Sequence, residues 1–279
     1  MSRLIQRLER PALAQPAPGT YCRAQLRTRA SCLFVSAFPK SGSTFLVEAL
    51  VQSSGYPRYY LGQDFRSEQD LYFPRLVDAW AMPVASHQHT HATEPNLELM
   101  HRFRIRPVIL TRNLADCLVN LKDHLCRESL LTPTFNAPPG FPDWPPERQF
   151  DALVDLAAPW YLDFYSGWRR AEARGLELLW IDCPGLITDP GACIGQIMGF
   201  HGLPLNAEKL RAGVERTQSR GESTRRNVGV GVGGRGRQAL NSAQRARLDV
   251  LTGYFPGIDF SAVGAPFSDS MPCPPVSGR

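Results

Sequence analysis

Apolar residues in this chain fall in short, mostly apolar runs, several of them followed by a stretch in which they recur every three or four positions. The first run is Leu33-Phe34-Val35-Ser36-Ala37-Phe38, rich in β-forming side chains and without polar alternation. It predicts a strand buried on both faces, as inside a parallel sheet. Pro39 ends the ladder because its nitrogen has no hydrogen to donate. Ser41, Ser43 and Thr44 are N-cap types, and Leu46, Val47, Leu50 and Val51 then follow at helical spacing. A turn cluster, Ser53-Ser54-Gly55-Tyr56-Pro57, closes this unit.

The alternation continues down the chain. Val84 to Gln88 reads as a second strand, and Pro107-Val108-Ile109-Leu110-Thr111 as a third that ends at Arg112-Asn113. Leu114, Cys117, Leu118, Leu121 and Leu125 form a helical stripe after it, with Asp116 in the first turn, where the helix dipole favours negative charge. Phe150 to Ala173 carries a second stripe, Leu153, Leu156, Trp160, Phe164 and Trp168, expected to face the core. Leu176 to Ile181 reads as a fourth strand, Gly191 to His201 as a helix stopped by Gly202-Leu203-Pro204, and Ser242 to Thr252 as the last helix. Strands alternating with helices predict one α/β domain over residues 31–262, with a mostly parallel sheet and helices on both faces. Residues 1–30, with six Arg among Pro11, Pro16 and Pro18, read as a flexible basic arm, and residues 263–279 as a Pro/Ser-rich tail. Two stretches fit no element. Residues 58–82 are rich in aromatics, such as Tyr59, Tyr60, Phe65 and Tyr72, that either pack in the core or line a pocket. Residues 126–148 form a stiff Pro-rich loop, either a lid or a surface brace.

Composition narrows the class of function. A content of 43% hydrophobic and 20% charged residues is ordinary for a globular enzyme-sized domain. A net charge of +5 suits an anionic ligand but is too small and too dispersed to predict nucleic-acid binding. The seven Cys are odd in number and include no C-x-x-C pair, which speaks against a disulfide framework and a zinc site and for a reducing compartment. No apolar run reaches the roughly 18 residues of a membrane span, and no apolar signal segment opens the chain, so the expectation is a cytoplasmic protein.

The candidate chemistry starts at Pro39-Lys40-Ser41-Gly42-Ser43-Thr44-Phe45. A strand–loop–helix turn aims backbone N–H groups and a helix dipole at one spot that suits a phosphate. Gly42 permits close approach, and Lys40 adds a full charge. The order differs from a Walker A loop, where Lys directly follows the last Gly. This segment resembles the 5′-phosphosulfate loop of the PAPS-dependent sulfotransferases, Pro-Lys-Ser/Thr-Gly-Ser/Thr-Thr followed by an aromatic. Further elements extend the resemblance. His87, His89 and His91 would share one face of an extended strand, yet no carboxylate or Cys accompanies them, which is poor for a metal. The family carries a His at the end of the equivalent strand, about twenty residues before an Arg-bearing strand end. The three stand 25, 23 and 21 residues before Arg112. The resemblance favours His89, with Ala92-Thr93 after it as in bacterial members, and places His91 second. In the family a Ser lies eight residues beyond the Arg; here it is Asn120, whose amide can also donate. Leu186 and Asp189-Pro190 match the family's Leu and Asp-Pro, while Cys183-Pro184-Gly185 replaces its Tyr-Glu-Asp. Ser223 to Arg237, with alternating Gly and Val and clustered Arg, reads as too flexible for a helix or stable strand and suited to wrapping an anion. There Arg225, Arg226 and Asn227 resemble the family's Arg-Lys-Gly.

The resemblance implies a P-loop-kinase-like fold and in-line transfer of a sulfuryl group from PAPS to an acceptor hydroxyl or amine, leaving PAP. It implies Lys40 at the bridging oxygen, and the loop residues Ser41, Gly42, Ser43 and Thr44 on the 5′-phosphate. It further implies Phe45 on the adenine, His89 (or His91) as general base, and Arg112, Asn120, Arg225, Arg226 and Asn227 at the 3′-phosphate. No metal is required. The acceptor is a small molecule or a carbohydrate, left open by the sequence, as is the oligomeric state. Two other classes stand beside this one: a P-loop-type kinase using ATP and Mg²⁺, and a non-catalytic nucleotide-binding protein.

Overall fold

The structure, a computed structural model, describes residues 32–63, 69–80, 82–204, 206–224 and 234–268, with 218–224 as backbone only. The 1–30 arm, Phe65, residues 225–233 with Arg225, Arg226 and Asn227, and residues 269–279 of the tail lie outside the described residues. The chain runs β1 (Cys32–Ala37), α1 (Ser43–Ser54), α2 (Phe73–Trp80), β2 (Val84–Gln88), α3 (Glu94–Arg102), β3 (Val108–Thr111) and α4 (Leu114–Arg127). It continues through α5 (Pro146–Ala152), α6 (Ala158–Ala173), β4 (Leu179–Asp182), α7 (Cys183–Thr188), α8 (Pro190–Phe200), α9 (Ala207–Thr224), α10 (Arg235–Ala239) and α11 (Ser242–Thr252).

All strand pairs are parallel, in the order β2-β1-β3-β4. Val35 pairs with Val108 and Ala37 with Leu110, and Phe38 N–H extends the ladder to the Leu110 carbonyl at 2.9 Å. The connection after β1 leaves to one side of the sheet and the one after β3 to the other. The crevice between their carboxyl ends is therefore a topological switch point, where open α/β sheets bind ligands.

The unbroken apolar runs are explained by burial on both faces. Phe34 and Ile109 join a core with Leu118, Phe164 and Trp168, and Leu33, Val35 and Leu110 join another with Leu46, Leu50 and Ile194. α4 and α6 thus cover one face, and α1 and α8 the other. Each fully buried large side chain contributes about 1.5–3 kcal/mol, so Phe34, at 0% exposure, is a residue whose truncation this sheet would feel.

Several expectations are corrected. β4 starts at Leu179 rather than Leu176, because Leu176 N–H and Gly175 N–H bond back to the Ala171 and Glu172 carbonyls and close α6 as a helix cap. Leu156 is 57% exposed rather than in the core stripe. A π-helical turn, Leu153–Ala157, separates α5 from α6 and shifts the phase of the apolar face, so Ala157, Tyr161 and Tyr165 take the inward positions. Ser223 to Arg237 is helical at both ends, since α9 runs to Thr224 and α10 starts at Arg235.

Candidate active site

The loop after β1 is held from within. Ser41 is fully buried, and both its N–H and its hydroxyl bond to the Phe38 carbonyl, at 3.3 and 2.6 Å. Its hydroxyl therefore shapes the turn rather than facing a ligand. Tyr161, from α6, donates its hydroxyl to the Pro39 carbonyl at 3.1 Å. Lys40 has φ +66° and Gly42 φ +91°, two left-handed residues that bend the backbone tightly before α1. For Gly42 this is unstrained; for Lys40 it is a cost that the surrounding contacts must hold. Gly42 is the N-cap of α1, and no side chain caps that helix, so its first N–H groups are left for another acceptor. Ser43 is buried and Thr44 exposed. Phe45 is half-buried against the α1/α8 core.

A cleft of about 370 Å³ opens beside this loop. Lys40, Ser43 and Thr44 form its floor, His87 and His89 come from β2 and its end, and His124 and Glu128 come from α4 and its C-cap. Gln69, Leu121 and residues 131–133 complete it. His89 Nδ1 donates to the Ala37 carbonyl at 2.7 Å, and the His89 N–H donates to Gln69 Oε1 at 2.8 Å. A carbonyl only accepts, so the proton sits on Nδ1 and Nε2 carries the lone pair. Burial lowers the His89 imidazole to about 4, the Ala37 bond opposing and the Lys40 charge reinforcing. Burial likewise holds His87 well below the usual histidine value, aided by His89 and Arg58. The two rings meet edge to face at 5.0 Å. Burial lowers Lys40 too, against the pull of Glu128.

His91 stands apart. The strand ends at Gln88, so the face shared in an extended chain is lost. Its Nδ1 lies 3.0 Å from Asp163, and its ring packs at 4.4 Å on Trp160, in a groove with Asp163 and Arg170 that excludes Lys40.

Behind the loop lies a second group. Arg112 is 4% exposed, and its Nη1 is buried without a hydrogen-bond partner among the described residues. The Arg112 charge opposes the rise that burial imposes on the Cys183 thiol, whose sulfur is 3.9 Å from where a Gly42 side chain would begin. A buried guanidinium nitrogen left unpaired is costly. Asn120, 5% exposed, accepts from Arg235 at 3.2 Å, and Arg235 also reaches Asp123 at 3.1 Å. Asp116 accepts from the N–H groups of Gly234 and Gly236, at 3.1 and 2.7 Å, which docks α10 on α4.

Sequence reasoning missed Gln69, His124, Glu128, Thr132 and Arg235 as site residues. The His124–Glu128 spacing of four on a helix was a visible signal; nothing in an irregular segment singles out Gln69. Among the described residues, the aromatic insertion reaches the cleft through Gln69, not through its rings. The Pro-rich loop is part core and part cleft wall. Phe141 is fully buried as an anchor, while residues 131–133 line the cleft. Among the described residues no cluster of His, Cys, Asp and Glu is placed to hold a metal, and no helix is long and apolar enough to cross a membrane.

No family model and no curated protein matches the sequence. Solved structures do. Mouse sulfotransferase SULT7A1, crystallised with PAP, superposes with a TM-score of 0.61 at 14% identity, over 87% of this chain and 91% of that one. Retinol dehydratase in complex with androsterone and the inactive cofactor PAP gives a TM-score of 0.49 at 15% identity, over 89% of this chain and 87% of that one. The likeness to the mouse protein shows a shared fold, the α/β sulfotransferase fold with its P-loop-kinase-like outline.

Proposed function

We propose that this chain is a PAPS-dependent sulfotransferase that transfers a sulfuryl group to an acceptor hydroxyl or amine. One observation carries the reading. The N-terminus of α1 has no side-chain cap and follows Lys40, while Arg112, just past the end of the adjoining strand β3, keeps an unpartnered Nη1 among the described residues, so two cationic positions stand at neighbouring strand ends. A donor with phosphates at both its 5′ and 3′ ends matches that pair; ADP and ATP have no 3′-phosphate for Arg112. The PAP complex of the mouse protein with the same fold agrees with this.

PAPS, when bound, supplies the sulfuryl group. The protein has little covalent chemistry to do in a loose, in-line transfer; its task is to orient groups and stabilise charge. Lys40 and the N–H groups of Gly42, Ser43 and Thr44 neutralise charge at the 5′ end. Arg112, Asn120 and the Arg225-Arg226-Asn227 segment serve the 3′ end. His89 Nε2 takes the acceptor proton, because the Ala37 bond fixes the tautomer that leaves this nitrogen basic. The test is direct. Purified protein given PAPS and a mixed panel of phenol, sterol and sugar acceptors should release PAP; ATP with Mg²⁺ should yield no phosphorylated product. Phosphorylated product from ATP-Mg, without PAP release from PAPS, would establish the kinase reading instead.

A further inference from the structure

The wall of the cleft opposite the loop is polar. His124 Nδ1 lies 2.8 Å from Glu128 Oε2, one helical turn away, and both line the cleft with Gln69 and Thr132. His87 adds a buried Nε2 with no partner among the described residues. Among the described residues no aromatic ring lines this space; the apolar members are Leu121, Leu131 and prolines. Leu131 is itself 74% exposed, at the rim. Phenols, sterols and other flat apolar molecules are held by enclosed hydrophobic and aromatic walls. A wall of imidazoles, an amide, a hydroxyl and a carboxylate offers donors and acceptors to several hydroxyls instead.

The charges narrow this further. Glu128 hydrogen-bonds to His124 through one oxygen, and its Oε1 takes no hydrogen bond from the described residues. Burial and the Lys40 charge hold His124 below its ordinary value against the pull of Glu128, and Glu128 brings a carboxylate to this wall. An acceptor carrying a carboxylate or sulfate would meet the Glu128 carboxylate at this open end of the cleft, a like-charge contact that a neutral hydroxyl avoids.

Resting on the sulfotransferase reading above, the geometry points to a neutral, polyhydroxylated acceptor of the sugar class. One hydroxyl is presented to His89 for sulfation, and others hydrogen-bond to His87 and the His124–Glu128 pair. The balance is that of the transfer itself. The acceptor oxygen forms the bond to sulfur, the bridging S–O bond breaks with its electron pair leaving on PAP, and the hydroxyl proton passes to His89. Glu128 acts as a specificity residue, selecting against anionic sugars.

The experiment measures kcat/KM, with PAPS as donor, for a set of neutral methyl glycosides (gluco, galacto and manno), for a methyl glucuronide, and for 4-nitrophenol and androsterone. The best neutral glycoside should exceed the phenol, the sterol and the glucuronide by about 10-fold or more, a difference of roughly 1.4 kcal/mol. Glu128→Gln should raise the glucuronide and lower the neutral glycoside, narrowing that gap. A merely structural role would lower both alike. The inference is overturned if the phenol or sterol is the better acceptor, if no glycoside accepts sulfate, or if Glu128→Gln leaves the gap unchanged. PAP binding by the wild-type protein, read without any acceptor, separates the two failures. If PAP binds, the donor reading survives and only the acceptor class is wrong; if it does not, both fall.

Discussion

The imidazole of His89 donates from Nδ1 to the carbonyl of Ala37, the last residue of β1, at 2.7 Å. This bond ties the end of β2 to the strand that carries the Lys40 loop, so the proposed base and the loop are set by adjoining strands of one sheet. Replacing His89 by Ala should reduce turnover by about 10²–10⁴-fold, the usual contribution of a positioned general base. Binding of PAP should be retained. His91→Ala should stay within about twofold of wild type, since His91 pairs with Asp163 outside the cleft. Steady-state rates and PAP titrations on both variants check this; a larger loss in His91→Ala would reverse the assignment.

The buried imidazoles set a pH signature. His89 is lowered to about 4, and His87 is lowered as well. An unfolded chain binds a proton on each near pH 6.5, while the folded chain resists it. The unfolded state then holds more protons, so stability falls as pH drops from about 6.5 towards 4. His89→Gln should flatten part of that slope in thermal melts recorded from pH 7 to pH 4. PAP should raise the His89 value, because added negative charge favours the imidazolium. Ring NMR titration with and without PAP would show it, and an unchanged value would place the nucleotide away from His89.

Arg112 tests the 3′ end. Its Nη1 is buried and unpartnered among the described residues, so Arg112→Lys, which keeps the charge but not the planar fork, should weaken PAP binding by about 10-fold or more. ADP binding should change little. Equal losses for PAP and ADP would show that Arg112 supports the fold rather than reading the 3′-phosphate.

How much of this was legible in the sequence differs from element to element. β1 and β3 were readable because strands buried on both faces leave mostly apolar runs; polar residues fill the second half of β2, Val84–Gln88, and the Ser242–Thr252 helix begins at an Asn241 capping box. α9 was not, because Gly213 lies inside it, over Gln52 and Ser53 of α1, where a side chain would be crowded. Close packing there outweighs the helix-breaking preference of glycine. Lys40, Gly42, His89 and Arg112 carried a local signal, since strand ends and tight turns restrict residue type. Gln69 and Thr132 carried none; they reach the cleft only through tertiary packing of irregular segments. Cys183 stood out as a departure from a motif, and the structure places its thiol beside Gly42, within the field of Arg112.

Gly236 makes a packing prediction independent of the chemistry. A Cβ there would lie 2.3 Å from the Ala115 carbonyl carbon, a backbone atom that cannot swing aside. Gly236→Ala should therefore lift α10 off α4, break the Asp116 bonds to Gly234 and Gly236, and cost about 1–3 kcal/mol. Chemical denaturation measures the loss. Stability equal to wild type would mean that α10 docks differently from the arrangement described.

The central claim is that the loop and Arg112 together select a nucleotide with a 3′-phosphate. The thermal shift of the purified protein with PAP, set against ADP, tests it most directly. A ligand at about 100 times its Kd adds about 2.7 kcal/mol to the folded state, which for a chain of this size is a shift of roughly 5 °C or more. The account predicts that shift with PAP and at most a small one with ADP at the same concentration. Equal shifts with the two, or none with PAP, would contradict it.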